Sequence, residues 1–181
     1  SAVHYYHALD VGRRGDFEKQ IEHLEAAYSL YPQNPDYLIA LFRVPSTDID
    51  WRDSVRQRLD AAKALLADRI RDQEGRLRDA PNETHRLKAT ADLAQALNES
   101  AWLTSNTVGD FSGAVQQSRR SLQLRPGSPA YLDTLGRCYY AVGDLESAIR
   151  YQKQAVERAP RYQQIRRQLK MFEDALAEKT E

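Results

Sequence analysis

The stretch "LGRCYYAVGDLESAI", Leu135–Ile149, decides the fold. Just before it lies Leu132, and Leu132, Leu135 and Tyr139 recur at i, i+3 and i+7, which places them on one apolar stripe of a helix. Gly136 and Ala148 remove side-chain bulk where two helices would cross closely. Gly143 suits the turn between them, and Asp144 can cap the helix that follows. Pro160 ends the unit, because proline cannot continue a helix interior. The reading is helix, tight turn, helix.

The pattern recurs. Stepping back 34 residues from Pro160 reaches Pro126, and the same frame holds Gly109, Asp110, Phe111 and Ala114. Gly15, Asp16, Phe17, Ala27 and Pro32 fill the same slots near the start. These residues, with the 34-residue period, resemble the tetratricopeptide repeat. Two positions depart from the family pattern: Leu132 stands where tryptophan is common, and Gln152 where an aromatic is common. In the preceding copy Trp102 falls at the position of Gly136. It reads as a large core residue, with a groove-facing ring as the alternative.

Pro32 and Pro126 are 94 residues apart, which is not a multiple of 34. Something irregular therefore lies between. A short helix is predicted from about Asp36 to Arg43, stopped near Pro45. Thr47 and Asp50 stand in capping-box relation at the start of the next helix. Apolar residues follow at Trp51, Val55, Leu59, Ala62, Leu66, Ile70 and Leu77, and only Gln73 breaks the rhythm. This predicts one helix of about 30 residues, on the order of 45 Å. After a turn at Pro81 and Asn82, Leu87, Ala91, Ala94, Leu97 and Ala101 continue in helical spacing. The two runs should form a long antiparallel hairpin that projects beyond the repeats, loosened near its tip by Gly75. At the other end, Ile165, Leu169, Phe172 and Leu176 share one helix face. That face suits a helix capping the last repeat, with a docking or dimer helix as the alternative.

The expected fold class is all-α: a superhelical array of helix-turn-helix units, with a long inserted hairpin and a C-terminal capping helix. The whole chain, 1–181, is expected to be a single domain made of a first repeat at 1–34, an irregular unit with the hairpin at 35–94, repeats at 95–128 and 129–162, and the cap at 163–181. Strand signals are nearly absent.

The formal net charge is zero, with charged residues at 29%. The distribution is uneven. Residues 1–110 hold 14 basic and 18 acidic side chains, net −4, while residues 111–170 hold 11 and 4, net +7. Either a helical surface spreads its charge unevenly, or the basic part meets an acidic partner. Cys138 is the only cysteine, so no disulfide can form within the chain. It fits a reducing compartment, which slightly favours the cytoplasm. No run approaches a membrane span. The chain starts without methionine, inside what reads as a helix, and is read as a piece of a longer protein.

No catalytic constellation stands out, and the expected activity is non-enzymatic, with no cofactor and no metal. His4 and His7 are an i, i+3 pair with His23 as a third histidine. No carboxylate-histidine motif surrounds them. Cys138 has Arg137 beside it, and a cation can lower a thiol pKa. Its place beside the packing stripe argues instead for a buried, inert thiol. Arg119, Arg120, Arg125, Arg161, Arg166, Arg167 and Lys170 could form a phosphate-binding stripe. Aromatics are not presented among them in a stacking series, so nucleic acid is not expected.

The resemblance covers 1–34 and 95–160 well. It implies that first helices of successive repeats line a concave groove where a partner peptide or helix binds. The whole chain is similar to bacterial proteins that end in such repeats. The candidate groove residues are Tyr5 and Leu9, then Glu99, Leu103 and Asn106, then Asp133, Arg137 and Tyr140, the faces opposite the packing stripe. The lysine, arginine and asparagine clamp that some family members use for a C-terminal carboxylate is missing. Its places are taken by Tyr5, Leu9, Ser100, Ala130 and Thr134. The expected function is a scaffold that binds a protein or peptide partner. Homo-oligomerisation through the hairpin or the last helix, or a role as an accessory domain of a larger protein, are the alternatives.

Overall fold

Three glycine–aspartate pairs set the turns of the helical array. Gly15, Gly109 and Gly143 all take positive φ, at 80°, 132° and 81°, a backbone region that side chains with a Cβ rarely enter. The next residue caps the following helix each time. Asp16, Asp110 and Asp144 accept from the backbone N–H of Lys19, Gly113 and Ser147 at 3.2, 2.8 and 3.0 Å. These bonds satisfy N–H groups that a helix start leaves without partners. The same bonds hold the Asp144 carboxyl below its usual range, and for Asp16 the Lys19 side chain adds the larger part.

The computed structural model describes residues 1–180, where nine helices and no strand are found. They are α1 (Ala2–Arg13), α2 (Phe17–Leu30), α3 (Pro35–Arg43), α4 (Ile49–Arg78), α5 (Glu83–Asn106), α6 (Phe111–Leu124), α7 (Pro129–Ala141), α8 (Leu145–Arg158) and α9 (Gln163–Thr180). The all-α array expected from the sequence is the fold. Two compact units divide it, Ser1–Leu65 and Leu66–Glu181.

In the first unit α2 packs on α1 and on α3. Ala8, Leu24, Ala27 and Leu41 are fully buried. The start of α4 is tied to α2 through Glu25. Its carboxylate accepts from the Trp51 indole at 3.0 Å and from Arg58 at 2.7 Å. The Arg58 guanidinium also lies over the Tyr28 ring, 5.3 Å from its centre. The α4 start corrects the sequence reading. The cap is Asp48, which accepts from Trp51 N–H at 3.0 Å, and not Thr47. Asp48 stands one residue nearer Ile49, where a carboxylate reaches the free N–H groups of the first turn.

In the second unit the α4 residues from 66 onward lie against α5. Ile70, Leu93, Ala96 and Leu97 form one apolar cluster, joined by Leu77 and by Leu124 of α6. Arg69 pairs with Glu99 at 2.6 Å and Arg120 of α6 with Glu74. Helix α6 therefore flanks this part of the hairpin. Leu87, expected on the seam, is 62% exposed. It lies on the first turns of α5, and the buried row instead begins at Ala89 and runs through Leu93.

Helices α7 and α8 approach most closely at Gly136. A Cβ there would lie 2.6 Å from the Gln152 side-chain oxygen and 3.2 Å from the Ala148 carbonyl. Gln152 is fully buried. Its amide donates to the Asp133 carboxylate and, at 3.0 Å, to the Ile165 carbonyl. The Gln168 amide lies 3.2 Å from Asp133 Oδ1 and 3.3 Å from Gln152 Oε1. One polar network thus joins α7, α8 and α9. Helix α9 also seals the array with Ile165 against Leu132, Ala155 and Ala159, and Phe172 against Leu135, Tyr139 and Ala148.

Two substitutions separate these contributions. Asp144→Ala should lower unfolding free energy by about 1 kcal/mol through loss of the cap. Gln152→Leu should cost about 1–3 kcal/mol, because buried acceptors on α7 and α9 lose their donor. Urea unfolding followed by circular dichroism measures both.

Candidate functional site

Apolar repeat faces are consumed by stacking, so a binding surface must come from what the stack leaves open. In the second unit α7 packs beside α5, and α9 follows α8. Among these helices lies an open cleft of about 280 Å³, lined by Trp102, Pro129, Ala130, Asp133, Ala159, Tyr162, Gln164 and Ile165. Its walls are mostly carbon. Trp102 is half-buried and forms the α5 wall. Tyr162, just before α9, is 68% exposed. Trp102, expected in the core, is half-buried and lines the cleft.

The acidic groups beside the cleft are already engaged. Asp133 accepts from Gln152 and Gln168. Glu99, three residues before Trp102, accepts from Arg69 at 2.6 Å and from Gln95 at 2.8 Å.

The predicted groove residues fall into several settings. Asp133 is on the cleft wall. Leu103 and Asn106 are buried, at 1% and 7% exposure, and so present no groove surface. Asn106 donates instead to the Trp102 carbonyl at 2.9 Å. Arg137 and Tyr140 pair with each other, the guanidinium 5.0 Å from the ring centre. Tyr140 does not face outward, because α9 lays Phe172 against its ring at 4.7 Å. Tyr5 and Leu9 are half-buried in the first unit. Tyr5 meets the Tyr37 ring at 5.1 Å. Burial, helped by the Asp36 carboxylate, pushes its phenol up to about 12. Tyr162, Pro129 and Ile165 were missed. The one sequence signal was Tyr162, an aromatic between charged and polar residues just after Pro160.

The other candidates resolve as structure. Part of the basic series is engaged within the fold: Arg119 donates to the Tyr139 hydroxyl at 2.7 Å, Arg125 lies over the Tyr131 ring, and Lys170 pairs with Asp174, while Arg161 and Arg166 are exposed. His4 and His23 bring ring nitrogens within 3.5 Å, and the His7 ring lies 5.6 Å from that of His23. Among the described residues no three His, Cys, Asp or Glu side chains are grouped to hold a metal ion. None of the described helices is long and apolar enough to cross a membrane.

With the helix pair and its cleft in place, the family comparison is decisive for one segment. Residues 129–162 match the tetratricopeptide repeat family model. Over this segment the chain is similar to the tetratricopeptide repeat. The segment is α7 and α8 with their flanking turns. Tetratricopeptide repeats are protein-interaction modules, typically without catalytic activity. Two solved structures are similar in outline. One is "MamA RS-1 ArsTM double mutant", at 15% identity, TM-score 0.38, covering 94% of this chain and 82% of that one. The other is the TPR domain of P58(IPK), at 16% identity, TM-score 0.43, covering 98% of this chain and 56% of that one. No curated protein matches the sequence significantly.

Cys138 sits inside the segment similar to the tetratricopeptide repeat, fully buried, with its thiol 3.7 Å from the Ala101 carbonyl. Burial pushes it up to about 11, from an ordinary 9.0, against smaller lowering by Ser105, Ser118 and Arg137. A raised value means the folded chain keeps the proton longer than the unfolded chain. Its contribution to stability is therefore full below pH 9 and lost as pH rises toward 11. A thiol-disulfide reagent at pH 8 should leave native Cys138 unmodified for hours and label it within minutes in denaturant. Rapid native labelling would contradict the buried setting.

Proposed function

We propose that the second unit binds an extended segment of a partner protein in the cleft formed by α5, α7 and α9. The observation that carries this reading is the open, carbon-lined cleft with two aromatics in its lining, Trp102 and Tyr162. Aromatic rings offer large contact area with few rotors to order, which makes them frequent anchors of protein contacts. The polar wall, Asp133 and Gln164, can orient a peptide backbone. The role is that of a scaffold, with no chemistry of its own. Self-association through α9 is the weaker alternative, since its apolar residues Ile165 and Phe172 are buried against α7 and α8.

Peptides selected by phage display against the chain test this directly. Tyr162→Ala removes an exposed ring, and Ala130→Trp fills the cleft at an exposed position. Each should weaken selected peptides by about tenfold or more, with unchanged circular dichroism. Unchanged affinity in both variants would overturn the cleft as the binding site.

A further inference from the structure

The cleft is mostly carbon inside, with Asp133 as its one charged lining residue, and the arginines close to it in sequence narrow what it accepts. Between 155 and 170 the chain holds five basic side chains and one acid, Glu157. Arg158, Arg161 and Arg166 are exposed. Arg158 precedes the lining residue Ala159, Arg161 precedes the lining residue Tyr162, and Arg166 follows Ile165. Arg158 also lies against Gly127. Its guanidinium nitrogen would meet a Cβ on Gly127 at 2.9 Å, beside the loop that enters Pro129. Among the described residues none of these three arginines is in an ion pair, whereas Lys153 and Lys170 are paired with Glu173 and Asp174.

Of the acids nearby, Glu99 is neutralised by Arg69, while Asp133 is hydrogen-bonded by the neutral Gln152 and Gln168 amides and keeps its charge on the cleft wall. Ser128 makes no side-chain cap on α7, so the positive end of that helix dipole also faces the cleft end at Pro129. The three exposed guanidinium groups outnumber the two carboxylates nearby, Asp133 and Glu157, which leaves the rim positive on balance.

We infer that the occupant of the cleft is an acidic segment: an extended peptide with one large apolar residue, flanked by aspartates or glutamates. This rests on the cleft reading above and adds the charge of the partner. The apolar residue enters the cleft against Trp102 and Tyr162. The flanking carboxylates meet Arg158, Arg161 and Arg166. Guanidinium groups suit carboxylates well, because their planar fork can give two parallel hydrogen bonds.

The probes are three fluorescein-labelled peptides read by fluorescence anisotropy. One has a central tryptophan flanked by glutamates, the second has lysines for the glutamates, and the third has alanine for the tryptophan. The first should bind, and weaken more than about tenfold as sodium chloride rises from about 50 to about 300 mM. The other two should bind at least about tenfold more weakly. The triple variant Arg158→Glu, Arg161→Glu, Arg166→Glu should reverse the preference between the first two peptides. If glutamate and lysine peptides bind alike, the inference falls and the cleft reading stands. If displayed peptides without acids bind the cleft and the glutamate peptide does not, the inference falls alone. If no peptide of any kind responds to Tyr162→Ala or Ala130→Trp, the cleft reading falls and takes the inference with it. A single-stranded oligonucleotide that binds as tightly as the first peptide, unaffected by Tyr162→Ala, would also overturn it by showing bare electrostatic attraction.

Discussion

At Gly136 the backbone of α7 comes so close to α8 that no side chain fits between them. The space a Cβ would need is taken by the Gln152 amide. That amide is fully buried, and a buried amide is tolerated only when its hydrogen bonds are made. Gln152 makes them to Asp133 on α7 and to the Ile165 carbonyl on α9. The close approach, the polar network and the seating of α9 are therefore one constraint. The cleft inherits it, because Asp133 and Ile165 are both cleft wall and network members.

This coupling explains why a position where the family commonly has an aromatic can hold glutamine. An aromatic at 152 would fill space by dispersion alone. Glutamine fills it and also fixes the direction of α9 through named acceptors. Nearby aromatic contacts add to the same seam: Tyr139 stacks on Tyr151 at 5.4 Å and Tyr140 on Phe172 at 4.7 Å. Such pairs contribute roughly 0.5–1.5 kcal/mol each beyond area burial. Helix α9 thereby covers one face of the last helix pair.

Much of the fold was legible because its signals are local. A glycine at positive φ followed by a capping aspartate is a property of two adjacent residues, and it recurs at 15–16, 109–110 and 143–144. Helix α4 was legible from its apolar spacing, although its cap moved from Thr47 to Asp48. The site was less legible, because it depends on which helix covers which face. Tyr140 read as outward until α9 placed Phe172 on it. Leu103 read as groove and is core, and Trp102 read as core and lines the cleft. These two neighbours differ by about 100° around α5, and the sequence does not state where that boundary lies. Gln152 broke the family pattern, and its meaning needed Asp133 and Gln168 in place beside it.

Contact at Gly136 seats α9 and so shapes the cleft. Amide hydrogen exchange in the Gly136→Ala variant is the direct test. A methyl group there forces the Gln152 amide aside. Exchange should then accelerate selectively across 163–172 in α9, while α5 and α6 keep their protection. Wild-type protection throughout α9 in this variant would contradict the claim.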